Sequence, residues 1–221
     1  MELADRLATA VTGLSRRHDR VVVGIDGPDC AGKTTLAGRL EDALENRALR
    51  VCADRFSRPR AQRYQRGELS PDGYYHDSFD YPALRGELLL PFLGGQFSVR
   101  TSGAGYEGDP GTNLTRTVPT RAVLVVDGVF LLRPELRGLW TISVYLRVSA
   151  QESLRRAHGR DLELFGSPRR LQRGYLRRYL PGQELYRRSC DPEGLADVLV
   201  DNERTDMARI ERWTVPGGQG R

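Results

Sequence analysis

The chain has 221 residues, of which 39% are hydrophobic and 29% charged, and its formal net charge is +5. This length predicts one domain whose core needs no disulfide to stabilise it, and no apolar run reaches the roughly 18 residues of a membrane-spanning helix. The three cysteines have neither paired nor metal-ligand spacing, which indicates a reducing compartment. Since residues 1–6 lack the pattern of a secretion signal, we expect a cytoplasmic protein with no membrane partner.

The basic charge does not by itself predict a nucleic-acid partner. Many arginines between residues 147 and 188 are mixed with acidic residues along predicted helices. The chain has no zinc-finger, helix-turn-helix or RNA-recognition signature. A basic surface also suits a polyphosphate ligand, so we expect a small-molecule ligand and no nucleic acid.

The beginning of the chain predicts a helix, a strand, a glycine-containing loop and a second helix. Apolar residues at helical spacing predict the first helix over residues 2–17. The continuous apolar run 21–26 predicts a buried strand, and a second helix is predicted over 34–45. Between them lies the sequence Gly-Pro-Asp-Cys-Ala-Gly-Lys-Thr at positions 27–34.

The middle of the chain predicts fewer regular elements. A short strand over 49–53 ends at Asp54, and the polar, arginine-rich stretch 55–78 predicts mostly loop. Asp80 can cap a following helix, because Asp favours the N-cap position. Glycines, a proline and two short strand patterns predict a hairpin insertion over about 94–120.

The second half of the chain alternates strands with helices. Strands are predicted at 121–127, 141–148 and 196–201, and helices at 151–160 and 169–180. Gly166, Ser167 and Pro168 predict a break between the two helices. The alternation predicts an α/β fold in which a parallel β-sheet carries helices on both faces.

The sequence at 27–34 matches the phosphate-loop pattern G-x-x-x-x-G-K-T. It contains Lys33, the single lysine of the chain; all the others of its 34 lysines and arginines are arginines. In such a loop the backbone N–H groups surround a polyphosphate, the lysine reaches the β- and γ-phosphates and the next hydroxyl, here Thr34, ligates Mg²⁺. The expected nucleotide contacts are Gly27, Asp29, Cys30, Ala31, Gly32, Lys33, Thr34 and Thr35.

Asp127 closes the apolar strand 121–127 and fits the second metal-holding position of a P-loop protein. The loop and this carboxylate together predict a P-loop NTPase-type fold. We interpret residues 1–205 as one domain with a helical arginine lid at about 155–180, and residues 206–221 as a C-terminal tail.

Asp54 is the candidate for the chemistry beyond nucleotide binding. It follows the second predicted strand, at the sheet edge where ligands of open parallel sheets bind. A carboxylate there can accept the proton of an attacking hydroxyl, although a strand-end cap is the alternative. The chain lacks the N-K-x-D segment with which Ras-like switches bind guanine, so a kinase is favoured over a switch.

Several motifs resemble the uridine kinase and phosphoribulokinase family of P-loop kinases across residues 20–202. They are G-I-D-G and G-K-T-T around the loop, D-R-F at 54–56, D-S-F-D at 77–80, V-D-G at 126–128, Arg156 with Arg160-Asp161, and A-D-V-L-V-D-N at 196–202. The resemblance implies transfer of the γ-phosphoryl of ATP to a nucleoside 5′-hydroxyl, with Mg²⁺ as cofactor.

The resemblance also implies roles for individual residues. Asp54 would take the hydroxyl proton, Asp80 would hold the sugar and Phe79 would lie near the base. Arg156 and Arg160 would approach the phosphates from the lid, with Arg169 as a further lid candidate, and Asn202 would lie near the donor adenine. His76 either contacts substrate or bonds a neighbouring carboxylate.

The chain departs from the family where the base is recognised. Tyr106 matches the tyrosine of a tyrosine–histidine pair that binds the pyrimidine, but no histidine follows it. Ser57 replaces the tyrosine of the usual D-x-F-Y run. These differences leave a kinase of another hydroxyl metabolite, such as a modified nucleoside, as the second hypothesis, and a non-catalytic nucleotide-binding regulator as the third. GTP as donor and a homo-oligomeric state also remain open.

Overall fold

The computed structural model describes residues 2–45, 47–104 and 115–216. The strands are β1 (Arg20–Asp26), β2 (Ala48–Cys52), β3 (Ser98–Arg100), β4 (Thr115–Thr117), β5 (Ala122–Asp127), β6 (Ile142–Arg147), β7 (Val198–Asp201) and β8 (Arg209–Trp213). The first α-helices are α1 (Leu3–Leu14), α2 (Lys33–Ala43), α3 (Arg60–Arg63), α4 (Tyr81–Ala83) and α5 (Leu90–Leu93). They are followed by α6 (Ala150–Arg160), α7 (Leu162–Phe165), α8 (Pro168–Gly174), α9 (Leu180–Cys190) and α10 (Pro192–Leu195).

The central sheet is mostly parallel, as the sequence predicts. Its strand order is β2-β5-β1-β6-β7-β8, and of the described strands in this sheet β8 alone runs antiparallel to its neighbour. β1 and β5 lie in the middle and are buried along their whole length, which explains their continuous apolar sequences. The fold class predicted from the sequence is confirmed.

Helices cover both faces of this sheet. Alternate residues of a strand point to opposite faces, so Val21 and Val23 pack with α1 and α2 on one side. Val22 packs on the other side against the aromatic residues that precede and follow β5. Each face therefore has its own apolar core, and the helices fix the carboxyl edge of the sheet between them.

The segment that we interpreted as a C-terminal tail from residue 206 contains a strand that the sequence did not predict. Residues 209–213 form β8, which pairs with β7 as the edge strand of the sheet. Its sequence Arg-Ile-Glu-Arg-Trp separates its two apolar residues by charged ones, which suits a half-exposed edge that charge protects from pairing with other chains.

The inserted hairpin is present in the part of the insertion that the structure describes. β3 and β4 pair antiparallel, with Val99 opposite Arg116. Residues 105–114, including Tyr106, lie outside the described residues, as do residues 217–221.

The helical region after β6 extends further than the sequence predicts. α7 ends at Gly166 in a left-handed conformation (φ 70°), and the Ser167 side chain caps α8 by accepting from the Arg170 amide. The predicted break is therefore confirmed. The chain then continues through π-helical turns at Tyr175–Tyr179 into α9, ten residues beyond the predicted end at 180.

The stretch 55–78 is also more ordered than a loop. A 3₁₀ turn at Ala53–Phe56 is followed by α3 and by π-helical turns at Gly73–Asp77. Within the described residues, no helix is both long and apolar enough to cross a membrane.

Candidate active site

The phosphate loop connects β1 to α2 at the centre of the carboxyl edge. Gly27 (φ 151°) cannot be replaced there without strain, because a Cβ would lie 2.6 Å from the Leu146 carbonyl oxygen. Cys30 (φ 60°) and Gly32 (φ 91°) also have positive φ values. Such left-handed residues turn successive N–H groups to one side, which is the geometry of an anion-binding loop.

The ammonium of Lys33 lies within this loop. Its Nζ donates a hydrogen bond to the Pro28 carbonyl oxygen at 2.6 Å, and the side chain is largely buried. The charge is therefore held inside the loop by its own backbone, at the place where a phosphate oxygen would compete for it.

Thr34 and Asp127 form a site that fits Mg²⁺. The Thr34 hydroxyl donates to Asp127 Oδ2 at 2.8 Å. The other carboxylate oxygen, Oδ1, is buried and has no hydrogen-bond partner within the described residues, which is costly unless another group binds it. Among those residues no cluster of three or more His, Cys, Asp or Glu side chains could hold a metal. Two oxygen ligands nevertheless suit Mg²⁺, which usually keeps several waters.

Asp54 lies directly after β2, next to the phosphate loop, and lines a cavity of about 310 Å³. Asp54 is an exposed residue, but the protein packed around it partly desolvates its carboxylate. This desolvation raises the pKa of Asp54. The charge of Lys33 partly opposes the rise, whereas the charges of Asp29 and Asp127 add to it.

The walls of this cavity, which we call the acceptor cavity, are rich in aromatic side chains. The aromatic lining residues are Tyr64, Tyr74, Phe79, Phe165, Tyr175 and Tyr179. The rings of Tyr74 and Tyr179 contact edge to face with centroids 4.8 Å apart, and those of Phe165 and Tyr179 lie 6.1 Å apart. Flat apolar walls of this kind favour a ligand that carries a ring.

The other two carboxylates of the cavity already have partners. Asp161 is paired with both Arg160 Nε (2.6 Å) and the Tyr175 hydroxyl (2.6 Å). Asp29 accepts from the Tyr74 hydroxyl at 2.9 Å and from Gln183 at 2.5 Å. No described residue donates a hydrogen bond to the Asp54 carboxylate, so Asp54 is the acid left to meet a ligand.

Three solved structures share this architecture. A possible uridine kinase from Bacillus stearothermophilus is 25% identical with a TM-score of 0.65, and the match covers 90% of this chain and 99% of that one. A protein assigned as a fructose transport system kinase from Silicibacter is 20% identical with a TM-score of 0.67, covering 85% and 95% of the two chains. The D-glycerate 3-kinase of Cryptococcus neoformans var. grubii is 17% identical with a TM-score of 0.58, covering 84% and 88%.

The chain has the fold of the P-loop kinases. The resemblance predicted from the motifs is thus confirmed at the level of the fold. No protein-family model and no curated protein matches the sequence. The descriptions of the three similar proteins name different acceptors. The P-loop kinase fold therefore supports phosphoryl transfer but does not identify the alcohol that accepts the phosphoryl group.

The two arginines predicted for the lid occupy different environments. Arg160 lines the acceptor cavity in its ion pair with Asp161. Arg156 lies one turn earlier on α6 and is 12% exposed. Its guanidinium donates to the carbonyl oxygens of Cys30 (3.3 Å) and Asn202 (2.7 Å). The predicted approach of both arginines to the phosphates remains a prediction.

The remaining predicted acceptor residues are more scattered. Phe79 lines the acceptor cavity. Asp80 lies outside that lining and caps α4 by accepting from the Ala83 amide at 3.0 Å. His76 and Arg169 are exposed and also lie outside the lining. Their contacts with substrate remain predictions.

A second cavity of about 310 Å³ lies on the other side of the loop. Gly32, Thr35 and Asn202 line it together with Arg39 and Met207. Asn202 also donates through Nδ2 to the Ala31 carbonyl at 2.8 Å. A nucleotide whose phosphates occupy the loop could place its base here, as predicted for Asn202.

Asp26 is a site residue to which the sequence assigns no role. It is buried and accepts hydrogen bonds from the amides of Gly27 (2.7 Å), Leu131 (2.9 Å) and Leu132 (3.1 Å) and from the Tyr186 hydroxyl. Burial raises the pKa of Asp26 to about 6, although these hydrogen bonds oppose the rise. An acid at the end of an apolar strand, immediately before the loop, is the sequence signal that could have identified it.

Arg178 is the other residue that the sequence did not single out. It is 3% exposed, and its guanidinium donates to the carbonyls of Arg63 (3.0 Å) and Ser70 (3.2 Å) and to the Ser78 hydroxyl (3.2 Å). It also lies over the ring of Tyr64, 4.6 Å from the centroid. Arg178 therefore ties the wall formed by residues 63–78 to the lid helices.

Proposed function

We propose that the protein is an ATP-dependent kinase that transfers the γ-phosphoryl group to the 5′-hydroxyl of a nucleoside, with uridine and cytidine as first candidates. One observation carries the proposal: an unpaired carboxylate, Asp54, stands between the phosphate loop and a cavity with aromatic walls. The carboxylate can accept the proton of an alcohol, and the aromatic walls can pack against a nucleobase. Glycerate and fructose offer no aromatic ring to such walls.

The residues of this chain divide the reaction among them. Lys33 exchanges its bond to the Pro28 carbonyl for a phosphate oxygen, and the loop amides bind the remaining oxygens. Thr34 and Asp127 would hold Mg²⁺, which neutralises charge on the phosphates. Asp54 accepts the proton of the attacking hydroxyl, and its raised pKa makes it a stronger base than an ordinary aspartate. Arg160 and the aromatic walls exclude water from the transfer.

An acceptor panel tests the proposal. The protein is incubated with ATP·Mg²⁺ and uridine, cytidine, D-fructose, D-glycerate, a pentose phosphate or pantothenate, and new phosphate esters are identified by mass spectrometry. Uridine or cytidine should be phosphorylated, whereas 5′-deoxyuridine, which lacks the accepting hydroxyl, should be inert. Phosphorylation of 5′-deoxyuridine would contradict transfer to the 5′ position, and ATP binding without any nucleoside product would contradict the nucleoside acceptor.

A kinase of another hydroxyl metabolite is the second candidate. It is favoured by the similar structures described as fructose transport and glycerate kinases and by the missing histidine after Tyr106. Turnover of a non-nucleoside member of the panel would select it. In either case we propose small-molecule partners and a cytoplasmic enzyme with ATP as phosphoryl donor, and the sequence leaves GTP open as an alternative donor.

A further inference from the structure

Three consecutive carbonyl groups of the phosphate loop each accept a hydrogen bond from a side chain of a later segment. The donors are Ser153 to Asp29 (2.7 Å), Arg156 to Cys30 (3.3 Å) and Asn202 to Ala31 (2.8 Å). Within a peptide unit the C=O and the following N–H point in opposite directions. Bonds that fix these carbonyls therefore also fix the orientation of the peptide units between Asp29 and Gly32, and with it the direction of their N–H groups.

Arg156 is the centre of this arrangement. Besides the Cys30 carbonyl, it bonds the carbonyls of Asn202 (2.7 Å) and Glu203 (3.1 Å), and its Nε is paired with Glu152 (2.8 Å). It therefore joins α6, the phosphate loop and the segment after β7. Its two terminal nitrogens donate to backbone carbonyls. Arg156 is not part of the lining of the acceptor cavity, whereas Arg160 is.

The residue that Arg156 holds is in a strained conformation. Cys30 has a φ of 60°, which is unfavourable for a residue with a Cβ and persists when surrounding contacts hold it. A left-handed residue in the loop is what forms the N–H concavity for an anion. Without a bond to its carbonyl, Cys30 would be free to relax and the concavity would open.

We propose that Arg156, supported by Ser153 and Asn202, is a positioning residue that holds the phosphate loop in its anion-binding conformation. This role differs from the direct phosphate contact expected of a lid arginine, and it makes the amino-terminal part of α6 part of the rigid frame of the site. The inference rests on nucleotide binding at this loop, which is part of the function proposed above.

The first test separates positioning from direct contact. The affinity for ATP·Mg²⁺ is measured by titration calorimetry without acceptor, and kcat is measured at saturating nucleotide. Arg156→Gln should raise the Kd about tenfold, as loss of hydrogen bonds from a charged group predicts, with a smaller fall in kcat. An unchanged Kd with a hundredfold lower kcat would overturn the proposal in favour of a transition-state contact.

Arg155 provides a matched control. It is the neighbouring arginine on α6, pairs with the same Glu152 and is 72% exposed. Arg155→Gln should leave both Kd and kcat unchanged. If it weakens nucleotide binding as much as Arg156→Gln does, the effect belongs to the charge of α6 and the positioning role is wrong.

The second test uses the strain at Cys30. Glycine adopts left-handed conformations at little cost, so Cys30→Gly should reduce the effect of Arg156→Gln on Kd to within about threefold. Cys30→Ala removes the thiol but keeps the Cβ, and it should give no such rescue. Equal effects of Arg156→Gln in the glycine and alanine backgrounds would overturn the proposal.

Folding of each variant is checked by its thermal midpoint. If Arg156→Gln does not fold, Ser153→Ala takes its place. This variant removes one contact to the loop and should give a smaller rise in the Kd for ATP·Mg²⁺. An unchanged Kd in Ser153→Ala would then count against the proposal. A wild-type protein that binds no ATP would overturn both this inference and the proposed function. A wild-type protein that binds ATP but phosphorylates no nucleoside would overturn the proposed acceptor alone, since the Kd measurements need none.

Discussion

Asp54 is the residue whose surroundings give the site its proposed chemistry. Asp29 and Asp161 line the same cavity, but each already accepts hydrogen bonds: Asp29 Oδ2 from a hydroxyl and an amide group, and Asp161 from a hydroxyl and a guanidinium group. Asp54 keeps its lone pairs for a ligand, and desolvation increases its affinity for a proton. Aspartate therefore holds neighbouring side chains in place at two positions of the cavity, and at the third, Asp54, it can accept a proton from a ligand.

Replacement of Asp54 tests this difference. Asp54→Asn should lower kcat by about 10²-fold or more, because a general base usually contributes 10²–10⁴, while the Kd for ATP·Mg²⁺ stays near wild type. The rate is followed by coupled assay with the acceptor identified in the panel. Wild-type turnover in Asp54→Asn would remove this residue from the role of base.

The raised pKa of Asp54 also predicts a pH dependence. The ionised form is the base, and a raised pKa keeps the carboxyl protonated to higher pH than usual, so activity should fall on the acid side. The acid limb of kcat should have a midpoint above the ordinary aspartate value of about 3.9. A profile measured from about pH 4 to 9 that shows no acid limb would contradict the raised pKa.

Asp26 gives a second residue-scale prediction, through stability. A carboxyl whose pKa is raised to about 6 on folding binds its proton more tightly in the folded state, so its contribution to stability falls as pH rises through that value. The Tyr186 hydroxyl opposes this loss by donating to the ionised carboxylate. Tyr186→Phe should therefore cost about 1 kcal/mol more at pH 8 than at pH 5. Urea unfolding at both pH values measures the difference, and an equal cost would show that the bond does not favour the ionised form.

At the scale of elements, the acceptor cavity depends on how the wall 63–78 is held against the lid helices. Arg178 in the π-helical turns Tyr175–Tyr179 makes that connection. π-helical turns are often found at functional sites, and here they bring Tyr175, Arg178 and Tyr179 to the cavity together. The lid helices thus contribute walls as well as charges.

Weakening this connection should reduce the affinity for the acceptor and leave the affinity for the nucleotide unchanged. Arg178→Gln should raise the KM for the acceptor about tenfold, since several hydrogen bonds from a charged group are lost, and leave the Kd for ATP unchanged. Limited trypsin digestion should cut faster in the arginine-containing stretch 58–66. Arg177→Gln, an exposed neighbour, is the control, and an identical cleavage pattern in both variants would refute the connecting role.

At the scale of the whole molecule, nucleotide binding should be coupled to folding, because the loop lies at the centre of the sheet between both apolar cores. A ligand at one hundred times its Kd adds about 2.7 kcal/mol to the free energy of unfolding. For a domain of this size that corresponds to a rise of about 5–10 °C in the thermal midpoint.

A scan with and without ATP·Mg²⁺ measures this shift. Lys33→Ala should show little or none of it, and EDTA should reduce the shift of the wild type, because Thr34 and Asp127 would hold the metal. If the thermal midpoint of Lys33→Ala rises as much as that of the wild type, the nucleotide binds at a site other than the phosphate loop. Repeating the scan at several protein concentrations shows whether assembly contributes, because assembly makes the thermal midpoint depend on concentration.

The parts of the fold that the sequence predicted are those with a local signal. The apolar runs of β1 and β5, the phosphate loop and the break at Gly166 each depend on a few adjacent residues. β8 was missed because charged residues separate its apolar ones, so that it has no apolar run. The continuation of the lid into α9 was missed because Pro181 follows the predicted end, although Pro is tolerated in a first helical turn.

The sequence by itself determined where the phosphate-loop motif lies in the fold, because the loop, Lys33, Thr34 and the strand-end acids Asp54 and Asp127 have fixed positions relative to strands of a parallel sheet. Only the tertiary structure decided the acceptor cavity and the separate environments of Arg156 and Arg160. The cavity walls come from residues 54–79 and 160–179, which lie far apart in the chain. No local spacing encodes which of their side chains meet, since that follows from how the helices pack across the sheet edge.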